Sequence, residues 1–355
     1  MGGPEMAKAG ADIIQSYSDV SVMGISDIFG ALPEILRIRR KLVQHMKSED
    51  VDLFVPIDFP GFNGHLGRKA RQGGLPVFWL VAPQHWAWGS WRTAGFRGRV
   101  SRLGTILPFE EKYFRSRGFD VFPMGHPLMD DYGPHFSFEK DLGRREKILS
   151  NRTGNLTIGI FPGSRKQELK HLLPVLKVTC QALVGHLEHR EAKFVISAAP
   201  GIDPIDLSAT FDIAEDISQA PLKELLPQID LALVCSGTAS LEVALAGVPH
   251  ELVYKTGSFN NWLGRRLLQS PFIGLSNIIM DEEIVREHLQ EDAAPLPLAR
   301  DLLRWISRPA EREQFYRSSR QLRQKCGEAG VWQRTASAML GLDISDTEDP
   351  ADQGS

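Results

Sequence analysis

Two observations make this 355-residue chain an α/β protein with a doubly wound parallel sheet in its second half. From residue 156 onward, short apolar runs alternate with amphipathic stretches. Strands are predicted at 156–161, 193–198, 211–213, 229–234 and 249–254, and helices at 166–187, 221–226 and 239–246. Such alternation gives parallel strands joined by right-handed crossovers. Within it one grammar occurs twice. The strand at 156–161 runs through Pro162-Gly-Ser-Arg165 into a helix, and the strand at 229–234 runs through Cys235-Ser-Gly-Thr-Ala-Ser240 into a helix that carries Glu242. Unpaired N–H groups at a helix start, with the positive end of its dipole, suit an anion. Gly163 lets a phosphate approach the backbone, and Arg165 adds a planar cationic fork. Paired in this way, the two turns describe a nucleotide site at the carboxyl ends of the strands. Taken singly, each also reads as an ordinary βα loop.

Bulk properties bound the rest. The length accommodates two domains, each able to bury a core. A composition of 42% hydrophobic and 24% charged residues with net charge −3 is that of a soluble globular protein, and it argues against nucleic acid as the main partner. Cys180, Cys235 and Cys326 are widely spaced and odd in number, which suggests neither a disulfide framework nor a zinc site and fits a reducing cytoplasm. With no spanning apolar run and no leader visible at Met1, any membrane contact is expected to be peripheral.

A short helix is predicted over 5–17 and a long amphipathic one over 26–46, with Ile28, Ile35, Leu36 and Leu42 as its apolar stripe. Its Arg37, Arg39, Arg40 and Lys41 run reads as a solvated face. A doubly wound domain normally opens with a buried strand and a glycine-rich turn, yet the first convincing strand is 51–57. It ends in Asp58-Phe-Pro-Gly-Phe-Asn63, followed by a helix to 72. A carboxylate at the end of a parallel strand sits where α/β enzymes place chemistry. Asp58 is therefore either a general base, with Asn63 as an orienting donor, or a cap for the next helix.

A strand at 75–82 leads to a segment without acidic residues from 84 to 105, in which Trp86, Trp88, Trp91 and Phe96 are interleaved with Arg92, Arg97, Arg99 and Arg102. Tryptophan with arginine suits a lipid interface, and the same tryptophans also suit packing of a helix on the sheet. Short strands follow at 105–109 and 121–124. His126, in Gly125-His-Pro127, is either a donor into the cleft or a loop histidine.

Composition places the interdomain connection at 134–155. Beyond the second sheet come a basic amphipathic helix at 260–268, a short strand near Asn277, helices at 281–290, 296–307, 310–326 and 329–340, and a disordered acidic tail over 343–355.

With these residues in place, the chain resembles the lipid-A-disaccharide synthases, glycosyltransferases of the GT-B fold. The resemblance runs from about residue 1 to 342. It rests on the ordered set Val22-Met-Gly-Ile-Ser-Asp-Ile-Phe29, Ile57-Asp-Phe-Pro-Gly-Phe-Asn63, Pro83-Gln-His-Trp-Ala-Trp88, Leu107-Pro-Phe-Glu110, Gly125-His-Pro127, Phe161-Pro-Gly-Ser-Arg165 with Glu168, Ser236-Gly-Thr-Ala-Ser-Leu-Glu242, Asn277 and Glu287-His-Leu-Gln290.

The resemblance implies two Rossmann-like doubly wound domains facing a central cleft. The first, acceptor-side domain would span 1–150 and the UDP-sugar domain 151–310, with helices at 311–342 crossing back to the first. It implies transfer of 2,3-diacylglucosamine from UDP to 2,3-diacylglucosamine 1-phosphate (lipid X). Asp58 is then the catalytic base. Gly163, Ser164, Arg165 and the turn Ser236, Gly237, Thr238 and Ala239 hold the diphosphate, with Glu168 part of the same motif. Glu242 binds ribose, and Asn277 and Gln290 match polar donor-site residues. Asn63 and His126 are candidates on the acceptor side, and Trp86, Trp88, Trp91 and Arg92 for the membrane surface. No metal and no cofactor are implied. The expected setting is the cytoplasmic face of the inner membrane of a Gram-negative cell, bound peripherally, and a homodimer is allowed.

Two departures bear on the expectation. Relatives begin with a strand, a Gly-Glu-x-Ser-Gly-Asp loop and a helix that this sequence lacks, and Gly61 stands where some carry a second aspartate. Two other readings follow: another GT-B sugar-nucleotide enzyme, such as an N-acetylglucosaminyl transferase or an epimerase, or a truncated chain that binds UDP-sugar without transferring it.

Overall fold

The computed structural model describes residues 1–16, 28–47, 51–87, 89–133, 136–151, 154–187, 190–211, 216–255 and 270–341. Several expectations fall outside these residues: most of the 22–29 motif, Trp88, the strand expected at 211–213 beyond its first residue, the helix at 260–268 and the tail at 343–355. The chain forms two compact units. The first comprises residues 1–85, 89–105 and 110–123, and the second 86–88, 106–109 and 124–355.

In the first unit, β1 (Phe78–Trp79), β2 (Arg102–Thr105) and β3 (Val121–Pro123) form a parallel sheet in the order β1-β2-β3. The expected strand at 51–57 lies alongside β1 through two parallel bridges, Phe54↔Val77 and Ile57↔Leu80. Backbone hydrogen bonds carry this pairing from the Phe54 N–H on the Pro76 carbonyl to the Asp58 N–H on the Leu80 carbonyl. Trp79, Phe96, Leu103, Phe114 and Val121 form a core on this sheet. A second cluster joins the helix Ile28–His45 to the helix Pro60–Gln72 through Ile38, Phe62 and Leu66, flanked by Ile35 and Leu42 of the expected stripe. Complete burial of a side chain such as Ile38 contributes about 1.5–3 kcal/mol. Leu36, placed on the same stripe, is instead exposed. The early helix is brief, Pro4–Lys8. The expected solvated arginine face needs correction at one position: Arg39 is half-buried and donates to the Gly61 carbonyl at 2.8 Å.

The second unit holds a six-stranded sheet, all parallel, in the order β6-β5-β4-β7-β8-β9. Its strands are β4 (Leu156–Phe161), β5 (Ala192–Ser197), β6 (Asp216–Ser218), β7 (Leu231–Cys235), β8 (His250–Tyr254) and β9 (Glu287–Leu289). The order reverses direction between β4 and β7, the switch point at which such sheets bind ligands. β4 and β7 are near-continuous apolar runs because both faces are covered.

Two expectations fail at the β9 edge. Residues 281–290 do not form a helix, because Glu287–Leu289 pairs with Leu252–Tyr254 and extends the sheet. The segment around Asn277 is a helix, Leu275–Met280, and not a strand. The boundary also moves. The units part at Pro123 and Met124, upstream of the 134–155 connection that composition suggests. The helix Phe138–Ser150 belongs to the second unit because its Arg145 is fully buried and donates to the carbonyls of Ile229, Ala246 and Leu226. The helices Pro309–Cys326 and Val331–Met339 group with the second unit as well, held in part by the Arg312–Glu146 ion pair at 2.7 Å.

Candidate active site

In the second unit, β4 ends in Pro162 and Gly163, and Arg165 caps the 21-residue helix Lys166–His186. Gly163 has φ +94°, and a Cβ there would lie 3.2 Å from Cys235 Sγ and 3.4 Å from Glu168 Oε2. Glycine is therefore required both by the turn and by the close approach of the neighbouring loop. Arg165 is exposed and pairs with the largely buried Glu168 at 2.8 Å, an interaction that raises the Arg165 guanidinium above its ordinary value. Cys235, at the end of β7, is pushed up to about 12 by burial, aided by the Glu168 charge, so it is an inert thiol at neutral pH.

The second turn runs from Ser236 to Gly237, which precedes the helix Thr238–Leu245. Gly237 and Thr238 are exposed, Ser236 and Ala239 half-buried. No side chain caps this helix, and in its first turn the Ser240 N–H donates to the Gly237 carbonyl at 3.1 Å. Within it, Glu242 accepts a hydrogen bond from the Tyr132 hydroxyl at 2.9 Å through Oε2. Burial raises the Glu242 carboxyl, opposed by the Tyr132 bond. Sequence reasoning did not find Tyr132. It is 110 positions away from its partner, and no local pattern signals the pairing.

Asn277 has a different job from the one expected. It is fully buried, its Nδ2 donates to the Val285 carbonyl (2.8 Å) and to Glu287 Oε1 (2.9 Å), and its Oδ1 accepts from the N–H groups of Ile284 (2.9 Å) and Val285 (3.2 Å). All four hydrogen-bonding positions are filled within the protein. Asn277 thus positions Glu287, whose carboxylate also receives the N–H groups of Ile273 and Gly274. Gln290 follows β9 in the left-handed region at φ +55°, with its N–H on the Tyr254 carbonyl.

Glu251, His288 and Asp301 place three ligand-type atoms within 4.8 Å of one another. Arg286, Arg300 and Arg304 already pair with their carboxylates, and Trp305 Nε1 donates to Glu251, so the group serves as a buried ion-pair network.

In the first unit the strand carrying Asp58 ends abruptly. Asp58 (φ +43°) and Phe59 (φ +49°) are both left-handed. A left-handed non-glycine residue costs about 1–2 kcal/mol, and a phenylalanine there is uncommon. The helix Pro60–Gln72 has Phe59 as its N-cap and no side-chain cap. Asp58 is exposed, and its carboxylate forms no hydrogen bond or ion pair among the described residues. The capping alternative is thus removed. Asn63 Nδ2 donates to the carbonyls of Asp58 (2.8 Å) and Ile57 (3.2 Å), so it holds the strained turn that presents Asp58.

His126, in the second unit, is buried, and its Nδ1 accepts the Leu128 N–H at 3.3 Å, which places the proton on Nε2. Burial pushes this imidazole down to about 4, so it is neutral at pH 7. Trp86 is half-buried against Phe109, with ring centroids 4.8 Å apart. Trp91 is 72% exposed beside the exposed Arg92. The tryptophans therefore divide between packing and surface.

The fold is shared with sugar-transferring enzymes. The glycotransferase of kitacinnamycin superposes with a TM-score of 0.59 at 14% identity, covering 95% of this chain and 88% of that one. CalG4, the calicheamicin glycosyltransferase, superposes at 0.57 with 16% identity over 95% and 88%. The profile of the lipid-A-disaccharide synthetase family matches residues 1–339. The lipid-A-disaccharide synthase of Syntrophotalea carbinolica is 33% identical over 96% of this chain and 87% of its own length. That of Syntrophus aciditrophicus is 32% identical over 96% and 89%. The chain belongs to the lipid-A-disaccharide synthetase family and is a glycosyltransferase of lipid A biosynthesis, as the motif resemblance implies.

Proposed function

We propose that the chain transfers 2,3-diacylglucosamine from UDP to the 6-hydroxyl of 2,3-diacylglucosamine 1-phosphate. The observation that carries this reading is Asp58, an exposed carboxylate on strained backbone at the end of a parallel strand. In the proposed step, Asp58 takes the proton of the acceptor hydroxyl as its oxygen attacks the donor C1. The C1–phosphate oxygen bond breaks, UDP leaves with the electron pair, and the configuration inverts to a β-1,6 linkage. General-base assistance of this kind is worth about 10²–10⁴-fold. Gly163, Ser164 and the turn from Gly237 to Ala239 offer N–H groups to the diphosphate, while the Ser236 N–H stays on the Val253 carbonyl; Arg165 offers its charge to the departing UDP. Glu242 retains Oε1 for a ribose hydroxyl, since Oε2 is held by Tyr132.

Peripheral association with the inner membrane is part of the reading, supported by Trp91 and Arg92 on the surface. No helix among the described residues is long and apolar enough to cross a membrane.

The test is turnover by the purified chain with UDP-2,3-diacylglucosamine and lipid X. Disaccharide 1-phosphate with a β anomeric signal, released with one UDP per linkage, is the expected result. UDP binding without any disaccharide would assign the chain to other sugar-nucleotide chemistry.

A further inference from the structure

The first unit carries a concentration of cations next to the Asp58 turn that the catalytic reading leaves unused. Arg39 reaches across from the helix Ile28–His45, donates through Nη2 to the Gly61 carbonyl at 2.8 Å and lies over the Phe62 ring at 5.2 Å. Arg99 comes from the opposite side, at the end of the turn Arg97–Arg99. Its guanidinium Nη1 sits 2.5 Å from where a Gly64 Cβ would be, and its carbonyl 2.7 Å from a Gly67 Cβ. Two glycines on one helix face thus make the groove in which Arg99 lies. His65, Arg68 and Lys69 project from the same helix, Pro60–Gln72.

Among the described residues, Arg39, Arg68, Lys69 and Arg99 form no ion pair with a carboxylate. Arg39 Nε and Arg99 Nε are buried with no hydrogen-bond partner. Burial holds both guanidiniums below their ordinary value, and Arg68 lowers Arg99 further. His65 is depressed by burial and then by Arg39, Lys69, Arg68 and Arg99 together. An anion placed among these cations would relieve the repulsion that Arg99 meets from Arg68, and His65 from all four.

We infer that Arg39 and Arg99, assisted by Arg68, bind the phosphate monoester of the acceptor. Several guanidinium groups set around one helix match the doubly charged, many-oxygened monoester better than a single carboxylate. Arg39 Nη1 and Arg99 Nη2 form no hydrogen bond among the described residues and supply the donors for it. The placement fits an acceptor and not a free ion. Phe62, under Arg39, stacks on Phe59 at 5.9 Å, and Phe59 follows Asp58 directly. Arg39 and the base therefore meet at one turn, and the Arg99 groove lies farther along the helix that follows it. Ile57 (49% exposed) and Phe59 (53% exposed) flank Asp58 with the apolar surface that an acylated sugar would cover. This inference rests on the proposed transfer reaction.

The experiment compares two acceptors, 2,3-diacylglucosamine with and without its 1-phosphate, in the wild type and in Arg39→Gln and Arg99→Gln. The wild type is expected to prefer the phosphorylated acceptor by about 10–100-fold in kcat/KM, and each variant to lose about tenfold of that preference through acceptor KM. The KM for the UDP donor should stay unchanged. A structural role would lower turnover with both acceptors alike, and preserved preference in the variants overturns the inference. Should either variant fail to unfold cooperatively, Arg68→Gln, an exposed change, is expected to lose a smaller share of the preference.

Sedimentation with phosphatidylglycerol vesicles separates a bilayer headgroup from the acceptor. Vesicle binding is expected to survive both substitutions, and its loss with the acceptor preference intact would overturn the assignment in favour of lipid headgroups. If the wild type transfers to neither acceptor, the transfer reading fails by itself. Calorimetry with glucosamine 1-phosphate then decides the site: binding lost in Arg39→Gln upholds it, and no binding to the wild type overturns it.

Discussion

The two units end their functional strands differently. In the first, the left-handed turns fall on Asp58 (φ +43°), Phe59 (φ +49°) and Val81 (φ +62°), residues with side chains that resist this conformation. In the second, the turn after β4 falls on Gly163 (φ +94°), where a Cβ would press against Cys235. In the proposed function this difference has a use: glycine lets a phosphate reach the backbone, and a strained turn delivers the side chain itself. On the proposed function, chemistry falls to the first unit and nucleotide holding to the second.

The sharpest way to break this assignment is Asp58→Asn. Turnover should fall by about 10²–10⁴-fold, read as initial rate of disaccharide formation. Undiminished turnover removes Asp58 from the chemistry. Next in size is Gly163→Ala, whose Cβ would meet Cys235 Sγ at 3.2 Å on a backbone at φ +94°. Distortion worth about 1–2 kcal/mol should weaken UDP binding roughly tenfold in a titration.

Acid should test both units together. Burial pushes His85 in the first unit, and His126 and His250 in the second, down to about 4 from 6.5. Each folded imidazole is depressed below its unfolded value, so its contribution is complete above pH 6.5 and is lost as pH falls towards 4. Each should forfeit about 2 kcal/mol by pH 5. Urea denaturation at pH 7 and pH 5 reads the sum, and His126→Gln should flatten the slope.

Smaller effects sharpen the picture at the Asp58 turn. Asn63→Ala removes two bonds to the carbonyls that shape it. About 1–2 kcal/mol of stability should go, with a lower kcat and an unchanged UDP affinity. Val81→Gly should be the mildest, leaving the melting free energy within about 0.5–1 kcal/mol or raising it, because relief of the left-handed strain offsets the lost side chain. A large destabilisation would show that Val81 is not strained.

Much of the second unit was legible in the sequence because its strands are buried on both faces and read as apolar runs bounded by Gly, Pro and Ser. The two turns proposed to hold the nucleotide were legible for the same reason, each lying where an apolar run meets a helix start. The β9 edge was not. Glu287–Leu289 has no strand signature of its own and takes its form from pairing with β8. The first unit was harder. Arg39 looked like part of a solvated run, and only the packing of two helices shows it turned inward onto Gly61. Polar residues were the most misleading, since spacing locates Asn63 and Asn277 but not what they bond. Both hold backbone in place, and neither role leaves a trace in a local pattern. Tyr132 was invisible because its partner Glu242 is remote in sequence.

The most direct test of the division of labour is calorimetric titration of UDP into wild type, Asp58→Asn and Gly163→Ala side by side. The account predicts that Asp58→Asn binds UDP as tightly as wild type, and that Gly163→Ala binds about tenfold more weakly. Weakened binding in Asp58→Asn, or full affinity in Gly163→Ala, would contradict it.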